Sequence, residues 1–183
     1  MKYMFFAEGF EEVEALAVID LMRRAKIDVK MVSITGDKVV TGARNIKVIC
    51  DELLEDVDIS KAEALILPGG NPGFINLEKC MTLKDAVISM VANKDVLIAA
   101  ICGAPSVLGH WGVLNGRKAT VYPGMDDELV GAQVSHENVV IDGNLITSRG
   151  MGTAVEFGLA IVEYYTDSKV AADLAKAVVF KNV

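Results

Sequence analysis

The sequence predicts an α/β fold of the flavodoxin-like kind: a doubly wound, mostly parallel sheet sandwiched by helices, with a cysteine at a nucleophile elbow. Three observations predict it. Strand-like apolar runs alternate with amphipathic helical patterns along the whole chain. The runs from Ala62 to Leu67 and from Val96 to Ile101 are apolar on nearly every residue, as parallel strands covered on both faces are. The second of these stops abruptly at Cys102-Gly103-Ala104-Pro105, where a strand must turn sharply into a helix.

Lys2 to Ala7 reads as the first strand and Glu8-Gly9-Phe10 as its turn. From Glu11 to Arg24 the pattern is helical: Val13, Leu16, Ala17, Leu21 and Met22 recur at three- and four-residue spacing, acids crowd the first turn, and Arg23-Arg24 close the last. Asp28 to Ile34 is a second strand. Val39-Val40 and Ile46 to Cys50 read as the arms of a small hairpin, and Leu53 to Asp58 as loop. After the strand ending at Leu67 comes the densest cluster of breakers, Pro68 to Gly73, then a helix over about 83–92. Pro105 suits the first turn of a helix that continues to Trp111. Ala119 to Val121 begins another strand, and Val139 to Ser148 reads as a hairpin about Asp142-Gly143. Helices over Ala154 to Tyr165 and Ser168 to Ala177 end the chain. No repeat or linker interrupts it, so a single domain over 1–183 is expected, with ligands at the carboxyl ends of the strands.

Composition narrows the functions. Hydrophobic residues are 52% and charged residues 23%, the profile of a folded globular chain. With 18 basic and 25 acidic side chains the net charge is −7, a poor match for nucleic acid or anionic membrane. Val96 to Leu114 carries no formal charge and approaches the length of a membrane span, but Gly103, Pro105, Gly109 and Gly112 divide it into strand and short helix. Cys50, Cys80 and Cys102 are far apart and lack metal-ligand spacing, so neither a disulfide framework nor a metal site is expected, and a cytoplasmic setting is.

The chemistry-bearing residues converge on one edge of the expected sheet. Cys102 in the bend, before a helix N-terminus that favours a thiolate, reads either as a reactive thiol or as a small buried hydrophobe. Glu11, Glu12 and Glu14 read by default as solvated carboxylates favoured by the helix dipole; Glu11 and Glu14 share a face, and a carboxyl held near a thiol could move its proton. Gly70 and Gly103 are the backbone N–H groups best placed to stabilise an oxyanion, or glycines that simply permit tight turns. His110 lies about 12 Å beyond Cys102 at 1.5 Å per helical residue, and His136 sits in a polar loop, so a Cys-His dyad is not expected. Gly150-x-Gly152 lacks the spacing of a dinucleotide site.

The stretches Glu8-Gly9-Phe10-Glu11-Glu12-Val13-Glu14, Leu67-Pro68-Gly69-Gly70-Asn71, Ala99-Ala100-Ile101-Cys102-Gly103-Ala104-Pro105 and Thr147-Ser148-Arg149-Gly150-Met151-Gly152-Thr153, in this order, resemble the ThiJ/PfpI family of the class I glutamine amidotransferase-like superfamily, and within it the parkinsonism-associated deglycase branch. The resemblance implies that Cys102 is the reactive, oxidation-prone cysteine, that Glu14 supplies the neighbouring carboxyl, and that the Gly70 and Gly103 N–H groups form the oxyanion site. It implies that Arg44 reaches the cysteine pocket from a second subunit of a homodimer. The implied activity is of glyoxalase or deglycase type, without cofactor, on a small carbonyl such as methylglyoxal or on a glycated protein; the alternative is an oxidative-stress protein, a redox sensor or chaperone-like, with little turnover. Two positions depart from relatives. Gly103 stands where protease-like members carry histidine, which argues against a peptidase, and Tyr122 stands where a histidine often precedes the proline after the elbow.

Overall fold

The computed structural model describes residues 1–180, so residues 181–183, the end of the expected 1–183 domain, lie outside the described residues. In chain order the strands and helices are β1 (Lys2–Phe6), α1 (Glu12–Arg24), β2 (Val29–Ser33), β3 (Val39–Thr41), β4 (Lys47–Ile49), β5 (Glu52–Leu53), β6 (Ala64–Leu67), α2 (Gly73–Glu78), α3 (Met81–Met90), β7 (Leu97–Ile101), α4 (Ala104–His110), β8 (Lys118–Ala119), β9 (Gln133–Val134), β10 (Val139–Asp142), β11 (Leu145–Ser148), α5 (Ala154–Tyr165) and α6 (Ser168–Ala177).

The main sheet has the order β10-β11-β7-β6-β1-β2-β5, and every pairing in it is parallel except β10 with β11. Its central strands β2-β1-β6-β7-β11 follow the flavodoxin-like order, in which the chain reverses direction across the sheet between the first and third strands and leaves a crevice at their carboxyl ends. Strand alternation divides the core into two layers. Met4 and Phe6 of β1 face Ala15, Val18 and Met22 of α1 and Phe157 and Ile161 of α5. Tyr3 and Phe5 face the opposite way, with Leu65, Leu67, Leu83, Val107 and Trp111. These apolar side chains are almost all fully buried, and their removal from water is the main force holding the sheet between its helices.

Several elements differ from the sequence expectation, each for a local reason. The buried face of α1 is Ala15, Val18, Ile19, Leu21 and Met22, together with Glu12 and Glu14; Val13 points outward and is 47% exposed. Leu53, read as the start of a loop, forms with Glu52 a two-residue edge strand paired with β2. The breaker cluster runs directly into α2, whose first residue is Gly73. The stretch at Ala119 leaves the main sheet and forms a two-stranded parallel pair with β9. Among the described residues no helix is long and apolar enough to cross a membrane.

Candidate active site

The carboxyl ends of β1, β6 and β7 deliver the candidate residues to one crevice. β7 runs out at Ile101, and Cys102 takes φ +64°, a left-handed backbone that costs a side-chain-bearing residue about 1–3 kcal/mol. Two backbone bonds hold it there: the Cys102 N–H donates to the Ser148 carbonyl at 3.0 Å, and the Tyr122 N–H donates to the Cys102 carbonyl at 2.9 Å. The bend lifts Sγ off the sheet edge while α4 begins at the second residue after it. The Gly103 and Gly70 N–H groups both donate to the sulfur.

Glu14 arrives from the first turns of α1 and is 1% exposed. Its Oε2 accepts the Gly69 N–H at 3.0 Å, and its side chain is hydrogen-bonded to Cys102. Gly69 is required for this approach. A Cβ there would lie 2.6 Å from both Cys102 Cβ and Glu14 Oε2. Gly70 has φ +96°, and a Cβ on it would lie 2.2 Å from the Glu11 nitrogen, so only glycine allows the turn to pass under α1.

Burial pushes the Glu14 carboxyl up to about 7, against the opposing hydrogen bonds from Cys102 and Gly69 and with a small further push from Glu11. Burial, and then the Glu14 charge and hydrogen bond, push the Cys102 thiol up, while the Gly103 and Gly70 N–H groups pull it down. Burial first, and then the carboxylate beside the sulfur, oppose the thiolate that the helix N-terminus and the N–H donors favour. The two groups form one coupled acid that holds two protons below about pH 7 and shares one above it.

Of the three glutamates at the start of α1, Glu12 and Glu14 are buried, which corrects their default reading as solvated. Glu12 is 3% exposed, and its Oε1 accepts the Arg44 N–H at 2.7 Å and the Ile46 N–H at 3.4 Å. A Cβ on Gly42 would lie 2.3 Å from that oxygen, so the turn closes tightly over the carboxyl. Glu12 thus anchors the turn between β3 and β4 that carries Arg44. Replacing Glu12 by alanine is expected to speed hydrogen exchange at the Arg44 and Ile46 amides at least tenfold in NMR measurements; unchanged protection would show that the turn holds itself.

Arg44 stands at the mouth of the pocket of its own chain, its Nη2 4.0 Å from Glu11 Oε2. Tyr122 is 50% exposed and forms another side of the mouth. The pocket is about 610 Å³; besides the expected residues its wall includes Phe74, Met125 and Met151, which sequence reasoning missed. Nothing in their spacing could have found Met125 or Met151, whereas Phe74 directly follows the glycine cluster.

His110 is engaged elsewhere, with Glu78 2.7 Å from Nδ1 and Glu128 2.8 Å from Nε2. Burial alone would lower its pKa, but these two carboxylates raise it. His136 is 70% exposed, 3.8 Å from Asp126. Cys50 is buried and pushed up by burial, and Cys80 is half-buried; all three cysteines are free. Among the described residues no group of three or more His, Cys, Asp or Glu side chains is placed to hold a metal ion.

The DJ-1/PfpI family model matches residues 2–164. "Protein DJ-1 homolog B" of Arabidopsis thaliana is 37% identical over 93% of this chain, which spans only 39% of that relative's length; a second Arabidopsis relative is spanned to 41%. "Protein dj-1beta" of Drosophila melanogaster is 38% identical over 94% of this chain and 93% of its own, and its crystal structure superposes with a TM-score of 0.91 over 99% of this chain and 100% of that one. "Glutathione-independent glyoxalase DJR-1.2" of Caenorhabditis elegans is 33% identical over 85% of this chain and 83% of its own. The structure of oxidized Toxoplasma gondii DJ-1 superposes with a TM-score of 0.92 at 30% identity over 97% of each chain.

Proposed function

This chain belongs to the DJ-1/PfpI family, and we propose that it is a cysteine-dependent enzyme of glyoxalase or deglycase type, acting on methylglyoxal or its early adducts on protein. The observation that carries the reading is the hydrogen-bonded pair of Glu14 and Cys102, buried yet opening into a pocket with two backbone N–H donors. A relative named as a glutathione-independent glyoxalase supports it.

The chemistry follows from that pair. As the aldehyde carbon meets Sγ, the C–S bond forms, the carbonyl π bond breaks, and the thiol proton passes through Glu14 to the developing oxyanion, which gives a hemithioacetal. The Gly70 and Gly103 N–H groups that now donate to sulfur lie where they can turn to that oxygen. Glu14 then takes the proton from the former aldehyde carbon and returns it to the neighbouring carbonyl carbon, while the hemithioacetal hydroxyl proton moves to the ketone oxygen, which leaves the thioester of a 2-hydroxy acid. Water hydrolyses the thioester and restores the thiol. The sum is one ketoaldehyde and one water giving one 2-hydroxy acid, with no cofactor.

Purified protein incubated with methylglyoxal in the absence of glutathione is expected to form lactate, and Cys102→Ala to lose at least 1,000-fold of that rate. Equal rates in the two proteins would remove the reading.

One observation favours a second reading, a redox sensor or stress-protective protein: two N–H donors and a carboxyl that can hold a proton at neutral pH surround Sγ, and would hold a sulfinate as well as an oxyanion. Mild peroxide would then add two oxygens at Cys102 and leave buried Cys50 unmodified. The proposal carries with it a single domain, a cytoplasmic setting and a homodimer, the last testable by sedimentation.

A further inference from the structure

The pocket around Cys102 is far larger than methylglyoxal, and aromatic and thioether side chains make up much of its wall. A cavity of about 610 Å³ falls in the range that holds drug-sized ligands, roughly 300–1,000 Å³, whereas methylglyoxal has only a few heavy atoms. Beyond the catalytic groups the lining includes two aromatic rings, Phe74 and Tyr122, and two thioethers, Met125 and Met151, with Glu11, Arg44 and Asn71 as its other polar side chains.

The rings flank the sulfur. A Cβ built on Gly103, the residue after the cysteine, would lie 2.8 Å from Phe74 Cδ1 and Cε1, so the Phe74 ring rests directly against that glycine. On the other side, a Cβ built on Gly150 would lie 3.5 Å from Tyr122 Cδ2 and 4.0 Å from Cys102 Sγ, so the Tyr122 ring and the sulfur border the same glycine. Met151 is 56% exposed and Tyr122 50% exposed, so apolar and aromatic surface is left facing water at the mouth. The polar side chains beside the catalytic pair are few: Glu11 and Arg44, 4.0 Å apart, and Asn71. A hydrated or phosphorylated sugar adduct would find no hydrogen-bonding partner on Phe74, Met125 or Met151. A flat or branched apolar group would find aromatic faces and polarizable sulfur, both of which suit aryl rings.

Resting on the glyoxalase reading, we propose that the preferred substrates are α-oxoaldehydes whose ketone carries an aryl or branched alkyl group, with Phe74, Tyr122 and Met151 as the residues that set this specificity. The reaction balances as for methylglyoxal: phenylglyoxal and water give mandelate.

The test compares phenylglyoxal with methylglyoxal as substrates of the purified protein. A single methylene in an apolar pocket is worth about 10-fold or more, so kcat/KM is expected to favour phenylglyoxal by at least 10-fold. Phe74→Ala and, separately, Met151→Ser, at an exposed position that carries little folding risk, are expected to bring that ratio toward one, chiefly through KM for phenylglyoxal. A ratio at or below one in the parent, or a ratio that neither variant changes, would overturn the proposal. Binding of acetophenone, which lacks the aldehyde, to Cys102→Ala separates the two levels. If neither ketoaldehyde is consumed but acetophenone shifts the Gly103 amide resonance in a Phe74-dependent way, the glyoxalase reading fails and the aryl-binding pocket stands. If neither substrate is consumed and no shift occurs, both fall.

Discussion

Glu14→Gln is expected to give a protein more stable at pH 8 than the parent and at least 100-fold slower with ketoaldehydes. The stability follows from burial. The Glu14 carboxyl is raised from 4.5 to about 7, so its contribution to stability is full below about pH 4.5 and is lost as the pH rises through about 7. At 1.36 kcal/mol per pKa unit, the loss is on the order of 3 kcal/mol. A glutamine carries no charge to bury and its oxygen can still accept the Gly69 N–H, so part of that loss is recovered above pH 7 and nothing is gained at pH 4. Urea unfolding at the two pH values measures it. The slower turnover follows from removing the carboxylate hydrogen-bonded to the sulfur, which can take its proton, since general-base assistance contributes about 10²- to 10⁴-fold. The same substitution should make the thiol more acidic, because the Glu14 charge is one cause of its raised pKa. Alkylation of Cys102 by iodoacetamide at pH 9 should therefore be faster in the variant while catalysis is slower. A variant that is both less stable at pH 8 and slower to alkylate would mean that Glu14 is structural ballast.

Gly69→Ala should abolish turnover while leaving the fold intact, whereas Gly70→Ala should damage the fold itself. At Gly69 the three nearest atoms to the added methyl belong to side chains, Cys102 Cβ at 2.6 Å, Glu14 Oε2 at 2.6 Å and Cys102 Sγ at 3.1 Å. Relieving the contacts moves the sulfur and the carboxyl relative to each other, and a displacement of that size in a reacting pair costs about 100-fold or more. At Gly70 the methyl meets backbone, the Glu11 nitrogen at 2.2 Å, the Gly9 oxygen at 2.4 Å and the Phe10 carbonyl carbon at 2.5 Å, with φ at +96° in addition. Backbone cannot rotate away, so the expected cost exceeds about 3 kcal/mol, the upper end for local strain alone. Circular dichroism and urea midpoints separate the two outcomes; a soluble Gly70→Ala within about 1 kcal/mol of the parent would contradict the geometry.

What was legible in the sequence was what local chemistry dictates. The alternation of strand and helix gave the sheet and its flanking layers, and the abrupt stop at Cys102-Gly103-Ala104-Pro105 gave the bend. Patterns over α5 and α6 gave both helices with their observed ends. What was hidden depends on distant partners. Glu12 and Glu14 sit among other acids at a helix start, where solvation is the default, and only the loops after β6 and β3 bury them. Helix α2 was hidden by the proline and glycines that precede it, although Gly73 suits a place where a Cβ would strike Gly9 and Phe10 at 2.6 Å. The raised pKa of Cys102 was hidden too, because the dipole argument is local, whereas the burial of the sulfur, and after it the carboxylate from a helix more than 80 residues earlier, come from tertiary packing.

The central claim is that Glu14 and Cys102 act as one coupled acid. Its most direct test is the pH dependence of kcat/KM for methylglyoxal between pH 5 and 10 in the parent and in Glu14→Gln. The account predicts, for the parent, a rise of about tenfold per pH unit up to an inflection near 7 and a plateau above it, as the pair loses its first proton. In Glu14→Gln that inflection should vanish, leaving a low rate that climbs only as the isolated thiol ionises. A parent inflection near the ordinary thiol value of about 8.5, unchanged by the substitution, would mean that Cys102 titrates alone and would contradict the account.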